Sequence, residues 1–123
     1  MATDLAAVGK QFADYYYQTF DGNRANLGPL YRDFSMLTFE GAPIQGTTNI
    51  LEKLTSLPFQ TVKHMVSTMD VQPSTDGKIL VLVTGMLKVD DSPNPLAYNQ
   101  VFHLVPEGTT YFVLNDIFRL NLA

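Results

Sequence analysis

The sequence predicts an α+β domain in which helices pack on one face of an antiparallel β-sheet. Apolar residues recur at helical spacing in the first half of the chain, whereas the second half carries alternating apolar runs separated by Gly, Pro and Asp. Helices that come first and strands that come last are typical of this class. The length of 123 residues suits one domain, so we expect a single domain over residues 1–123.

The first two predicted helices lie before residue 30. Asp4 is the predicted N-cap of the first helix, because its carboxylate can accept a hydrogen bond from a free N–H of the first turn. Asp21-Gly22-Asn23 is expected to end this helix and to cap a second, short helix, which Gly28-Pro29 then breaks. The apolar face of the first helix is predicted to carry Leu5, Val8, Phe12, Tyr15, Tyr16 and Thr19.

A short strand and a third helix complete the first half. Residues 35–40 alternate, with Leu37 and Phe39 on one face, and Gly41-Ala42-Pro43 is expected to turn the chain. The third helix is predicted to start at Thr47 or Thr48, to stop at Pro58 and to face inward with Ile50, Leu51, Leu54 and Leu57.

Four strands are predicted in the second half: Thr61–Val71, Lys78–Val89, Leu96–Val105 and Thr110–Leu120. Their connections are predicted at residues 73–77, 90–95 and 106–108. The middle of Lys78–Val89 is apolar on both faces, so we expect both faces of that strand to be covered. Apolar residues also occupy both alternating sets in Tyr111–Leu114. Since helices cover only one face of a sheet, the other face would be an exposed apolar patch, and a homodimer formed sheet to sheet would bury it.

Composition excludes several functional classes. The net charge of −4 and the scattered Lys and Arg residues argue against direct nucleic-acid binding. The absence of cysteine excludes a disulfide framework and a Cys-based metal site. The longest apolar run, Ile79–Val83, is too short to span a bilayer, and the N-terminus shows no signal peptide. No phosphate loop or metal-ligand spacing is visible, so we expect no cofactor and no metal.

Several segments, taken together in their order and spacing, resemble the nuclear transport factor 2 family over almost the whole chain. They are Phe12–Tyr17, Leu27–Tyr31, Ser35–Gly41, Ile44–Gly46, Glu52–Gln60, Gln100–Phe102 and Asn115–Leu120. The resemblance implies a cone-shaped fold, with a curved antiparallel sheet and three helices enclosing a hydrophobic cavity. It also implies a homodimer that carries the GDP form of the GTPase Ran through nuclear pores. Such a carrier binds phenylalanine-glycine repeats of nucleoporins weakly and occurs in the cytoplasm, the nucleus and the pore.

The resemblance implies a Ran-binding site at the mouth of the cavity. Phe39 and Glu40 match an aromatic-acid pair that receives an aromatic side chain of Ran, although animal members have Trp where this chain has Phe39. The residues alone favour a core position for Phe39 and a solvated strand end for Glu40. Asp90 matches a family acid that faces a lysine of Ran, whereas residue patterns alone favour a turn. A second family acid falls near Ser92, and Asp91 is the candidate to replace it.

The remaining candidates line the cavity or lie on the first helix. His64 matches a family histidine near the cavity and the dimer interface, and a structural role is favoured over direct contact with Ran. Leu57, Val62 and Phe118 match cavity-lining positions of the family, and core packing explains them equally well. Leu5 lies where family members often carry an aromatic that contacts nucleoporin repeats.

The rival interpretation is a small-molecule isomerase or dehydratase on the same fold. Such an enzyme needs a positioned base and a stabiliser for a developing oxyanion. His64, Asp116 and the tyrosines are the ionisable candidates, but no matching constellation is identifiable from the sequence. A third interpretation is a pure dimerisation module like the related domains within RNA-export proteins. We therefore expect a carrier rather than an enzyme.

Overall fold

The computed structural model describes residues 4–121 and contains one curved, open sheet with helices packed on its inner face. The helices are α1 (Leu5–Gly22), a 3₁₀ helix (Arg24–Leu30) and α2 (Thr47–Thr55), with a further 3₁₀ turn at Thr75–Gly77. The strands are β1 (Met36–Phe39), β2 (Ala42–Gln45), β3 (Val62–Pro73), β4 (Ile79–Val89), β5 (Leu96–Glu107) and β6 (Thr110–Leu120). The predicted α+β class is confirmed. The N-terminus, for which no signal peptide is expected, includes residues 1–3, and these lie outside the residues that the structure describes.

Helix α1 is capped as predicted but buries a different set of side chains. The Asp4 carboxylate accepts a hydrogen bond from the backbone N–H of Ala7 at 3.2 Å. The prediction was wrong at Tyr15, which is 53% exposed. Because three tyrosines are consecutive, helical spacing allows either Tyr15 and Tyr16 or Tyr16 and Tyr17 to lie on the buried face. Contacts with the sheet select Tyr16 and Tyr17. The buried stripe consists of Gly9, Phe12, Ala13, Tyr16, Tyr17 and Phe20.

Two predicted chain breaks lie elsewhere. Gly28-Pro29 does not end the second helix, because Pro29 lies inside the 3₁₀ helix and its fixed φ suits that conformation. The turn predicted at 41–43 is made instead by Glu40 and Gly41, both at positive φ. Ala42 therefore begins β2, and Pro43 is tolerated there because β2 is an edge strand.

The sheet has the strand order β2-β1-β6-β5-β4-β3. Every neighbouring pair is antiparallel except β1 and β6, which run parallel with Leu37 opposite Asp116. The expectation of a wholly antiparallel sheet was therefore wrong at this pair. Parallel neighbours require a long connection, which the chain from β2 to β5 provides. None of the helices within residues 4–121 has the length and apolar character to cross a membrane.

The outer face of the sheet carries an exposed apolar patch. Leu80, Leu82 and Ile117 are 39%, 41% and 47% exposed, whereas Ile79, Val81 and Val83 on the inner face of β4 are fully buried. The expectation that both faces of β4 are covered is wrong for the single chain. The apolar residues of Tyr111–Leu114 are not the patch, because a register shift after His103 lets Phe112 and Val113 both be buried. The predicted patch exists, but it lies at the centre of the sheet.

Candidate functional site

An apolar cavity of about 310 Å³ lies between the helices and the inner face of the sheet. Its walls come from α1, α2, the segment after α2 and the four strands β1, β3, β4 and β6, together with part of β5. We call the end formed by Phe39, Pro58, Phe59 and Leu120 the mouth, since these lining residues retain exposure. The other lining residues are Tyr16, Phe20, Leu37, Leu54, Leu57, Val62, His64, Leu87, Val89, Leu96, Gln100 and Phe118.

An aromatic stack forms one side of the mouth. The Phe39 ring lies parallel to that of Phe118, with centroids 4.8 Å apart and planes 6° apart. Phe118 stacks in turn on Tyr98 at 5.6 Å. The Lys53 ammonium lies 5.4 Å from the Phe39 centroid, within cation–π range. Phe39 is therefore half-buried and held in a fixed orientation beside the opening.

Glu40 lies at the end of β1 beside this stack and is exposed. Its backbone N–H donates to the carbonyl of Phe118 at 3.0 Å, and its carboxylate accepts a hydrogen bond from the N–H of Leu120. Since one carboxylate oxygen makes that bond, the side chain is tethered at the mouth rather than free in solvent. Its φ of 51° places it in the left-handed region.

Asp90 organises the opposite side of the mouth. Its Oδ1 accepts hydrogen bonds from the backbone N–H groups of Gln60 and Thr61 at 3.0 and 2.9 Å. These bonds, that of Thr61 first, hold the pKa of the exposed Asp90 carboxyl below its usual value. Asp91 is exposed beside it, and both acids border a surface depression that adjoins the mouth. Asp90 thus has a turn-forming role and still presents negative charge at the surface.

The segment Leu57–Thr61, which closes one wall of the cavity, is held by two side chains. Arg24 donates from its guanidinium to the carbonyl of Phe59 at 2.8 Å and stacks over the Phe59 ring at 4.7 Å. Asp90 holds the other end of the segment through the two N–H groups described above. Arg24 therefore fixes the mouth, and nothing in its sequence position predicted this contact.

His64 lies in the wall of the cavity, with its side chain only 3% exposed. Its Nδ1 lies 2.7 Å from an oxygen of Asp21, and its backbone N–H donates to the other oxygen at 2.9 Å. The imidazole stacks on Tyr17, with centroids 4.5 Å apart. The predicted structural role of His64 and its position in the cavity are therefore compatible.

A buried polar cluster adjoins the inner end of the cavity. Asp116 is 1% exposed and accepts hydrogen bonds from Tyr31 and from the Gln100 amide, each at 2.8 Å. Tyr16 lies 2.8 Å from the Tyr31 hydroxyl, and Tyr17 donates to the Gln100 carbonyl at 2.9 Å. Burial raises the pKa of Asp116 to about 6. The hydrogen bonds favour the ionised carboxylate and therefore oppose this rise. Burial also raises the pKa values of the three tyrosines.

The comparison with protein families decides what kind of fold this is. A family model described as the nuclear transport factor 2 (NTF2) domain matches residues 8–120. The chain belongs to the nuclear transport factor 2 family. This result confirms the resemblance found in the sequence.

Named relatives in the nuclear transport factor 2 family agree with that assignment. The chain is 63% identical to nuclear transport factor 2 of Emericella nidulans over 119 residues, with 95% of each chain covered. It is 56% identical to that of Debaryomyces hansenii over 124 residues, with 100% of each covered. A solved nuclear transport factor 2 from Cryptosporidium parvum superposes with a TM-score of 0.92 at 44% identity, covering 98% of both chains. These names support a role in nuclear transport and confirm the expectation of a transport protein rather than an enzyme.

The family fold brings most of the predicted site residues to one end of the molecule. Phe39 and Glu40 lie on one side of the mouth, and Asp90 and Asp91 border the depression beside it. Leu57, Val62 and Phe118 line the cavity, whereas Leu5 is half-buried at the start of α1 and does not line it.

Sequence reasoning missed three residues that shape the site. Asp21 was interpreted only as a helix end, although it holds His64. Arg24 and Gln100 gave no signal, because their partners are distant in sequence. Asp116 was named as an ionisable candidate, but its buried partners Tyr31 and Gln100 were not predicted.

Proposed function

We propose that this chain carries the GDP-bound form of the GTPase Ran into the nucleus, acting in the cytoplasm, the nucleus and the nuclear pore. The observation that supports this proposal is an apolar cavity whose mouth combines an aromatic stack with acidic residues. An aromatic side chain of Ran would enter the cavity and gain affinity from burial. Neighbouring basic residues of Ran would meet Glu40, Asp90 and Asp91.

The volume of the cavity is consistent with an inserted aromatic ring. A closed apolar cavity of ~150 Å³ is enough to hold benzene, and this cavity measures about 310 Å³. Phe39 is already packed against Phe118 on one face and lies under Lys53. The entering ring would therefore be received by a pre-formed wall, which reduces the ordering cost of binding.

The acids at the mouth supply selection by charge. Glu40 and Asp90 are each tethered by backbone N–H groups, so their negative charges occupy fixed positions. Charges at the rim of an interface act mainly on the association rate, the partner choice and the salt dependence. His64, held by Asp21 inside the cavity, would contact the inserted side chain or support the wall.

We further propose that the carrier is a homodimer formed through the outer face of the sheet. The patch of Leu80, Leu82 and Ile117 is exposed in the single chain, and Met65, which lies opposite Met86 on the same face of the sheet, is 40% exposed. Contiguous apolar surface of this kind marks an interaction site. Two copies related by a two-fold axis would place patch against patch.

Weak binding of phenylalanine-glycine repeats completes the proposed transport cycle. Leu5 is the candidate residue, because it is half-buried and lies on the first turn of α1. An aliphatic side chain offers less contact area than an aromatic one, so the affinity at this position would be low. Low affinity suits a carrier that must exchange rapidly between repeats.

The discriminating experiment is a pull-down that compares Ran-GDP with Ran-GTP. The immobilised chain is expected to retain Ran-GDP selectively. Equal retention of both forms, or of neither, would contradict the proposal. The double variant Glu40→Lys, Asp90→Asn serves as the matched control, and it is expected to retain neither form while remaining folded.

A further inference from the structure

His64 has one ring nitrogen that no residue in the described part of the chain engages. Asp21 occupies Nδ1 at 2.7 Å and also accepts the backbone N–H of the same residue at 2.9 Å. No hydrogen bond to Nε2 is found within residues 4–121, although the side chain is only 3% exposed and lines the cavity. Nε2 is therefore available to a ligand that enters the cavity and donates a hydrogen bond to it.

The environment of His64 fixes which role Nε2 plays. A carboxylate at Nδ1 holds the proton of a neutral imidazole on that nitrogen, so Nε2 is left as a hydrogen-bond acceptor. The ring cannot turn freely, because it stacks on Tyr17 at 4.5 Å and packs edge-on against Phe20 at 4.9 Å and Tyr98 at 5.3 Å. The cavity therefore contains one oriented acceptor.

The other polar groups at the inner end of the cavity are already engaged. Tyr16 bonds Tyr31 and Asp116, and the Gln100 amide bonds Asp116 and Tyr17. The rest of the lining is apolar, with four phenylalanines among aliphatic side chains. A charged ligand would lose its hydration without gaining an ion pair there. A neutral ligand with one hydroxyl donor matches this arrangement.

We propose that the cavity binds a small phenol-like molecule, whose ring packs among the apolar walls and whose hydroxyl donates to Nε2 of His64. The volume of about 310 Å³ accommodates such a ring with space for a short substituent. This binding does not depend on the proposed transport of Ran and is tested without any partner protein.

The experiment compares p-cresol with p-xylene, which has the same shape but replaces the hydroxyl by a methyl group. Calorimetric titration of the full chain is expected to give about tenfold tighter binding of p-cresol, since only p-cresol satisfies Nε2. The ring nitrogen signals of labelled His64 are expected to shift with p-cresol and not with p-xylene.

Two variants locate the site. His64→Phe keeps a ring but removes the acceptor, so p-cresol is expected to bind no better than p-xylene. His103→Phe is the matched control, because His103 bonds Asn115 and Ser74 and does not line the cavity. It is expected to keep the tenfold preference.

Equal affinity of the wild-type chain for the two compounds would overturn the proposal, as would the absence of binding at millimolar concentration. Full p-cresol preference in His64→Phe would also overturn it. Should His64→Phe fail to fold, the comparison of the two compounds on the wild-type chain still decides, because it needs no substitution.

Discussion

Replacing Asp116 by Asn is expected to stabilise the chain near neutral pH. Asp116 is buried with a pKa raised to about 6 by desolvation, so at pH 7.5 it is ionised in an environment that penalises the charge. Asn removes that charge and keeps the shape. The Oδ1 of the introduced Asn can accept the hydrogen bond from Tyr31. Its Nδ2 can donate to the side-chain carbonyl of Gln100 if the Gln100 amide flips by half a turn. The flipped Gln100 NH₂ group then donates to the Tyr17 hydroxyl.

The magnitude follows from the two pKa values. The folded-state pKa of about 6 exceeds the ordinary value of 3.8, so the folded state binds more protons between these pH values. The free energy of unfolding therefore falls as the pH rises through this window, by roughly 3 kcal/mol in all at 1.36 kcal/mol for each pH unit. About 1.4 kcal/mol of this loss falls between pH 5 and pH 7.5. Asp116→Asn should be free of the loss, so its advantage over the wild type should grow by that amount.

The assay is urea denaturation of both proteins at pH 5 and pH 7.5, at one protein concentration so that association does not change the comparison. The difference between variant and wild type isolates Asp116, because other ionisable groups contribute equally to both. A difference that stays constant with pH would refute the reasoning. A variant that is less stable than the wild type at pH 7.5 would show that the hydrogen bonds outweigh the desolvation cost.

Four further changes test the proposed sites. Glu40→Lys is expected to lower the affinity for Ran-GDP at least tenfold in calorimetric titration, about 1.4 kcal/mol. Glu40→Gln keeps an oxygen for the Leu120 N–H and should lose less affinity. Wild-type affinity in folded Glu40→Lys would exclude the contact. Asp90→Asn retains the Oδ1 acceptor, so the chain should still fold, with a slightly lower melting temperature because the bonds from Gln60 and Thr61 lose the charge that strengthens them. It should weaken Ran-GDP binding, and an unaltered salt dependence would argue against Asp90. Leu82→Asp should convert a dimer to a monomer in light scattering, and a wild-type mass near 13.7 kDa at micromolar concentration would rule out the dimer. Leu5→Ala should reduce binding of Phe-Xaa-Phe-Gly peptides without affecting Ran-GDP, whereas equal loss of both would indicate damaged folding.

Local patterns predicted the elements whose formation depends on neighbouring residues. Alternation placed Leu37 and Phe39 on the inner face of β1, and both line the cavity. Helical spacing with a threonine start placed α2, in which Ile50 and Leu54 are buried. The cap at Asp4 was also predictable, because capping needs only the next turn of the chain.

The errors and omissions share a dependence on distant residues. Helical spacing does not distinguish Tyr15 from Tyr17 as the buried residue. Only the packing of Tyr17 against His64 and Tyr98 decides which of the two is buried. The parallel pairing of β1 with β6 joins residues that are 79 positions apart, such as Met36 and Asn115. The Asp21–His64 pair spans 43 residues, and no periodicity reports such a contact.

The backbone of two acids at the mouth has a consequence for how this protein can change over generations. Glu40 and Asp90 both adopt left-handed conformations, with φ of 51° and 50°. Residues other than glycine incur of order 1 kcal/mol there. Glycine would relieve that cost at either position, but it would also delete the carboxylate that accepts backbone N–H groups there. Asparagine tolerates the left-handed region and keeps an acceptor oxygen at position 90. Laboratory selection for heat resistance alone should therefore admit asparagine at position 90, whereas selection that also demands partner capture should retain the acid.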